Sequence, residues 1–314
     1  MVIIKTMKNK KNKIAIYTAI FGDYDDLIEP PEEIKGCDFY CFTDNEKLKS
    51  KKYKIIKVKR EFSDPTRDAR KIKTLSHKYL PNYEYTLWID ANIIFRETNI
   101  QEMFNNFLSE YDIAIHKHDI RDCVYDEFNA CLEVGVDSPT IMASQMIRYI
   151  NERYPVHNGL AATGVVFRRN SDLVRNVNKD WWNELRNGSK RDQLSIDYVM
   201  WKNSTEYFRI NDSVRNGKYF YVKEHKSNSY SKRSENLELN ELRKKVMEIE
   251  GKNCKECYLD KKKIAEIEIL KDEINNMKSS FFWKLRSFYI KYKSKLVFVI
   301  FHPISFVKKY FKKI

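Results

Sequence analysis

The chain has 314 residues, room for one large domain with appendages or for two modest ones. Hydrophobic residues make up 42% of it and aromatics 14%, which supports a sizeable core and excludes a chain disordered throughout. The formal net charge is +14, yet ten basic residues fall from Lys278 onward with no Asp or Glu among them, so the tail is the anion-seeking part and the preceding body is only mildly basic.

Residues 1–12 form a basic leader without a long apolar core, which reads as neither a signal peptide nor a membrane span. Six cysteines without a secretory leader read as reduced thiols of a cytosolic protein. Cys37 and Cys41 flank an apolar strand-like run and read as core. Cys254 and Cys257 form a lone C-x-x-C, short of the about four ligands of a structural zinc site, and read as two ordinary cysteines.

Lys13 to Phe21, KIAIYTAIF, predicts a strand buried on both faces, ending in the Gly22-Asp23 turn and the acidic Asp25-Asp26. Asp38 to Phe42 predicts a second buried strand, ending in Thr43-Asp44. Ser63-Asp64-Pro65 is a helix start, an N-cap followed by Pro at the first helical position. At about 100° per residue, Ala69, Ile72, Leu75 and Tyr79 make its apolar stripe, and Arg67, Arg70, Lys71, Thr74 and Lys78 gather opposite. That polar side reads as a solvated face or, for Arg67 and Arg70 near the helix start, as an anion site. Thr86 to Ile89 is a third strand, too short for a helix, with Asp90 at its carboxyl end, then Ala91, Asn92 and a second run, Ile93 to Phe95. By itself Asp90-Ala91-Asn92 reads as a turn. Three apolar strands that each deliver a polar group at the carboxyl end point instead to a mainly parallel sheet with one shared ligand edge.

Asp112 to His116 predicts a fourth strand, running into a polar loop with His116, His118, Arg121 and Asp126-Glu127 that reads as solvent-exposed, with metal binding by the two histidines as the alternative. A helix follows over Thr140 to Tyr154. Asn158 to Phe167 then runs small residues into a strand, and small side chains let a flat ligand approach the backbone. Trp181-Trp182 reads as a helix docking on the core, with sugar stacking as the alternative. Ser189 to Ser195 opens another helix whose buried side is Ile196, Val199 and Met200, and Lys218 to Val222 is a last strand. Beyond it, Leu239, Leu242, Val246 and Ile249, then Ile267, Leu270, Ile274 and Met277, recur at spacings of three and four. That pattern predicts a helical hairpin or short coiled coil. From Ser280 the tail interleaves aromatics, aliphatics and lysines. Its longest uncharged run, Leu296 to Val307, is short of the roughly twenty residues a spanning helix needs. The tail therefore reads as an amphipathic segment for an anionic membrane surface, in preference to nucleic acid.

The blocks IYTAIFGDYDDL, CDFYCFTD, DPTRDARKIKTLSHKYLPNYEYTLWIDANI, HKHDIRDCVYDE, GLAATGVVFRRN and RDQLS resemble the glycosyltransferase-like domain family named after plant mucilage and tapetal proteins, also found in bacterial polysaccharide gene clusters. The resemblance implies an α/β, GT-A-like (Rossmann-related) fold, a mixed and mainly parallel sheet flanked by helices. On this reading 13–228 is the glycosyltransferase domain, 229–277 a linker and helical or coiled-coil segment, and 278–314 the basic aromatic tail. It implies transfer of a sugar from a nucleoside diphosphate sugar to a surface-glycan or lipid-linked glycan acceptor. The enzyme would be cytoplasmic, peripheral at the inner face of the plasma membrane through 280–314, self-associating through 236–277, and without a nucleic-acid partner. Asp90, Ala91 and Asn92 match the GT-A Asp-x-Asp motif, with an amide in place of the second carboxylate, so the resemblance implies a divalent metal, Mn or Mg, on Asp90, Asn92 and His225. By the same resemblance Thr18, Ala19, Phe21, Asp44, Arg67, Arg70, Lys73, Asp90 and Gly164 contact the nucleotide sugar, and Asp192, Gln193 and Asp90 are catalytic. The Asn92 departure leaves a second expectation open, a non-catalytic module that binds nucleotide sugar or glycan.

Overall fold

The computed structural model describes residues 13–223 and, beyond them, Asp272 alone; the readings for 1–12, 229–277, 278–314 and His225 lie outside the described residues. The apolar runs form strands where the pattern put them: β1 (Ile14–Ile20), β2 (Cys37–Thr43) and β4 (Tyr85–Ile89), with an unanticipated β3 (Lys54–Lys57) at the edge. Helix α1 (Pro65–Thr74) starts as expected, Asp64 capping it by accepting from the Thr66 N–H at 3.0 Å, with Pro65 leading. It breaks at Leu75, and a one-turn α2 (Ser76–Tyr79) carries the stripe onward. Then come β5 (Ile93–Phe95), α3 (Ile100–Phe107), β6 (Ile113–Lys117), α4 (Val124–Val134), α5 (Pro139–Asn151), β7 (Ala161–Arg169) and α6 (Asp172–Asn187). A 3-10 turn at Asp192–Leu194 leads into α7 (Ile196–Lys202), and β8 (Phe208–Ile210) and β9 (Phe220–Val222) complete the described chain.

Seven strands form one sheet in the order β3-β2-β1-β4-β7-β6-β8, with β5 and β9 paired separately. β2, β1 and β4 run parallel side by side, and β7 alone is reversed against its neighbours β4 and β6. The expectation of an α/β fold with a mixed, mainly parallel sheet flanked by helices therefore holds, and the tips of β1, β2 and β4 share one edge. Alternation along each strand sends side chains to two helical layers. Ile14, Ile16, Ile20, Leu87 and Ile89 pack with Met103, Phe104 and Phe107 of α3. On the other face Tyr17 meets the Trp88 ring edge-on and donates its hydroxyl to the Lys73 carbonyl. Trp181 and Trp182 on α6 are buried, 1% and 8% exposed, so they serve core docking rather than sugar stacking. Cys41 is core as expected, whereas Cys37 is only partly buried.

On α2, beside Asn178 of α6, the half-buried His77 ring is partly desolvated, and the cations Lys78, Lys179, Arg168 and Arg175 act in the same direction, lowering its pKa from 6.5 to about 4. In the window between those values the unfolded chain takes up a proton that the fold refuses, so stability falls as pH falls. The melting temperature should therefore drop from pH 7 to pH 5 in the native chain and drop less in His77→Gln. Equal drops would remove His77 as the cause.

Candidate active site

Asp90 follows β4 at the shared edge. Its backbone N–H donates to the Gly164 carbonyl at 2.9 Å, and its own carbonyl accepts from Ile93 at 3.0 Å, so the turn expected of Asp90-Ala91-Asn92 is present. The side chain does more. Oδ1 accepts from the Trp88 indole N–H at 2.7 Å and lies 3.5 Å from Lys73 Nζ and 3.8 Å from an Arg70 Nη. Arg70 and Lys73 stand one turn apart on α1 and therefore on one face. Beneath them Asp192 places Oδ2 at 2.5 Å from Lys73 Nζ and 3.4 Å from Arg70 Nε. Lys73 also sits over the Trp88 ring, 5.4 Å from its centroid. Two carboxylates and two cations thus alternate in a closed cluster built from α1, the β4 tip and the turn before α7.

Burial sets the electrostatics. Lys73 is 0% exposed and Asp192 1%. Loss of water would push the Asp192 carboxyl up, but Arg70, Lys73 and Arg191 outweigh it and hold the group well below the usual carboxylate range. Burial lowers the Lys73 pKa, against the pull of Asp192 and Asp90. Each partner makes the other's burial tolerable.

A cavity of about 330 Å³ opens over this cluster, within the size range of small-molecule sites. Ala19 and Phe21 at the β1 tip, Asp64 and Arg70 on the α1 side, Trp88 and Asp90 at the β4 tip, and Lys190 and Arg191 all line it. Lys190 Nζ lies 2.6 Å from Asp64. Arg191 donates twice to Oε1 of Glu127, at 3.1 and 2.9 Å, and Glu127 itself is 1% exposed. Lys190 and Arg191 were not read as site residues. Their signal was in the sequence, two consecutive cations directly before Asp192-Gln193. A second cavity of about 260 Å³, lined in part by Asp25, Thr43, Asn45 and Lys47, shares Ile20 and Asp25 with the first along the β1–β2 edge.

The remaining predicted residues are placed as follows. Thr18 is buried within β1, and its hydroxyl has no hydrogen-bond partner among the described residues. Asp44 accepts from the Gly22 N–H at 3.0 Å and so closes the turn after β1, where Gly22 takes the left-handed backbone (φ +65°). Arg67 turns to the end of α6, donating to the carbonyls of Leu185 and Gly188. Gln193 donates to the Ala161 carbonyl at 3.1 Å. Thr18, Asp44, Arg67, Asp192 and Gln193 line neither cavity, whereas Ala19, Phe21, Arg70 and Asp90 line the first. Gly164 lies against Asp90, but its nearest constraint is packing: a Cβ there would stand 2.7 Å from Ile93 Cδ1 and 3.5 Å from Asp90 Oδ2. Gly164→Ala should cost about 1–3 kcal/mol, the usual cost of overpacking, read as a lowered denaturation midpoint. An unchanged midpoint would show that Ile93 yields freely.

A hard divalent cation carried by a diphosphate asks one or two carboxylates of the protein. Asp90 supplies one through Oδ2, the oxygen not engaged by Trp88. The Asn92 amide N–H₂ donates to the Lys223 carbonyl at 2.8 Å, tying the motif to the chain after β9. The donor set thus meets the minimum through Asp90, with Arg70 and Lys73 already supplying positive charge beside it.

The family described as "TOD1/MUCI70, glycosyltransferase-like domain" matches residues 3–220. Among curated proteins, "Probable hexosyltransferase MUCI70" of Arabidopsis thaliana is 25% identical over 214 residues, covering 59% of this chain and 37% of that protein. "Alkaline ceramidase TOD1" of the same plant is 21% identical over 224 residues, covering 60% of this chain and 48% of that protein. The chain spans less than half the length of either relative. Among solved structures, a glycosyltransferase involved in the glycosylation of the major capsid of PBCV-1 superposes with a TM-score of 0.39 at 12% identity, over 74% of this chain and 98% of that one.

Proposed function

Because this chain belongs to the TOD1/MUCI70 glycosyltransferase-like family, we propose that it is a GT-A-type glycosyltransferase using a nucleoside diphosphate sugar. The observation that carries the reading is the Asp90–Lys73–Arg70–Asp192 cluster under a cavity at the shared strand edge. When the glycosidic bond to the donor breaks, negative charge grows on the departing diphosphate. Arg70, fixed between two carboxylates, and Lys190 and Arg191 at the wall stand ready to stabilise that charge without reorganising. A divalent ion arriving with the diphosphate would be held by Asp90 and would screen the same charge. Asp90 orients the donor at the β4 tip. Asp192, buried and ionised, holds Lys73 and Arg70 in place, and Gln193 fixes the start of β7 through Ala161.

The acceptor in this reading is a surface or lipid-linked glycan at the inner face of a plasma membrane, reached through the basic tail 280–314, with 236–277 available for self-association. Support for the tail comes from its sequence pattern, lysines interleaved with aromatic and aliphatic residues. The test is release of nucleoside diphosphate by the full chain from a panel of nucleotide sugars, with and without Mn²⁺, alongside an assay for ceramide amide hydrolysis. Turnover of a nucleotide sugar supports the proposal. Binding without turnover would favour the non-catalytic module that the amide at Asn92 permits, and ceramide cleavage alone would replace both readings.

A further inference from the structure

We propose that Cys123, Asp126 and His157 form a zinc site, apart from the cavity at Asp90. Cys123 is the N-cap of α4. Asp126 follows three residues later in the first turn and so lies on the same face. His157 comes from the connection between α5 and β7, with its backbone in the left-handed region (φ +51°), a cost for a residue other than glycine. That connection is stitched to the start of α4: Gly159 N–H donates to the Asp122 carbonyl at 2.9 Å, and His118 N–H to the Leu160 carbonyl at 2.8 Å. One ligand atom from each of Cys123, Asp126 and His157 lies within 4.8 Å of the other two.

The chemistry of the three donors selects the ion. A thiolate, an imidazole and a carboxylate together suit zinc, and three protein ligands with water in the fourth position make an open zinc site rather than the closed four-ligand structural kind. Cys123 is fully buried while His157 and Asp126 reach the surface, which gives the ion a dry side and an entry path. His157 Nδ1 lies 2.7 Å from Asp122 Oδ1, the kind of outer carboxylate contact that orients metal-binding histidines. On binding, the Cys123 thiol would give its proton to solvent and its sulfur to the ion, with the imidazole bound through a ring nitrogen and Asp126 through a carboxylate oxygen. The ion would fasten the first turn of α4 to the segment before β7. Glu127, the next residue on α4, is the carboxylate that holds Arg191 at the cavity wall, so the site would brace the active cavity without touching it.

The test measures zinc in the full chain by elemental analysis after dialysis and replaces it with Co²⁺, whose bond to a thiolate gives a near-ultraviolet charge-transfer band. Both are run in a Cys254→Ser/Cys257→Ser background, so that the C-x-x-C pair does not contribute. Stoichiometric metal, the cobalt band, and their loss in Cys123→Ser and in His157→Ala are expected, with a melting temperature that falls on chelation only while the site is intact. Cys123 is buried and its variant could unfold; His157 is exposed, and its variant keeps the test decisive. Absence of stoichiometric metal, or uptake that survives His157→Ala, would overturn the proposal. Neither outcome bears on the transferase reading.

Discussion

Asp90→Ala is expected to reduce sugar transfer by at least about a hundredfold, the loss typical when one preorganised polar group is taken from a transition-state site. Asp90 lines the cavity and also faces Lys73 and Arg70 of α1, at 3.5 and 3.8 Å. Removing it leaves Arg70 and Lys73 held by Asp192 alone among the described carboxylates, leaves the Trp88 indole N–H without its acceptor, and deletes the carboxylate that would hold a divalent ion. Its side chain is 30% exposed, so the fold should survive, and a melting temperature within a few degrees of the native chain is part of the expectation. Asp90→Asn separates the roles, because an amide oxygen still accepts from Trp88 but carries no charge. The measurement is diphosphate release at saturating donor; turnover at the native rate in Asp90→Ala would take this residue out of the mechanism.

Lys73→Met should give the largest loss of stability, about 3–5 kcal/mol, the cost of stranding the buried Asp192 carboxylate without its nearest cation. Met is close to Lys in length, so the loss reports charge rather than a cavity. The sign can be checked with the double variant Lys73→Met/Asp192→Leu, which removes both charges and should recover part of the loss. Chemical denaturation of the single and double variants measures the coupling. Additive losses would mean that the 2.5 Å contact contributes nothing beyond packing.

Much of the framework was legible from periodicity. Short β-branched and aromatic runs marked β1, β2 and β4, and Asp64-Pro65 marked where α1 begins. Asp90 was legible for the same local reason, a carboxylate placed directly after a buried strand. Other residues have partners that their local pattern does not name. Periodicity assigned Thr74 to a solvated face, yet Thr74 is 0% exposed on a helix that packs against α6, and its neighbour Lys73 is 0% exposed over the Trp88 ring beside Asp192. Asp44 at a strand tip looks like a ligand contact and in the fold closes a turn through the Gly22 N–H. Arg67 near a helix start looks like an anion site, and its guanidinium goes to the carbonyls of Leu185 and Gly188.

By itself, then, the order of residues determined which stretches extend, where α1 is capped, and that several strands end in polar groups, because strand and cap preferences depend on neighbours a few positions away. Tertiary structure alone decided that β7 runs against β4 and lays Gly164 beside Asp90, and that Asp192 meets Lys73 across 119 positions of chain. A buried charge is tolerable only beside its partner, and nothing in the local pattern of either residue names that partner.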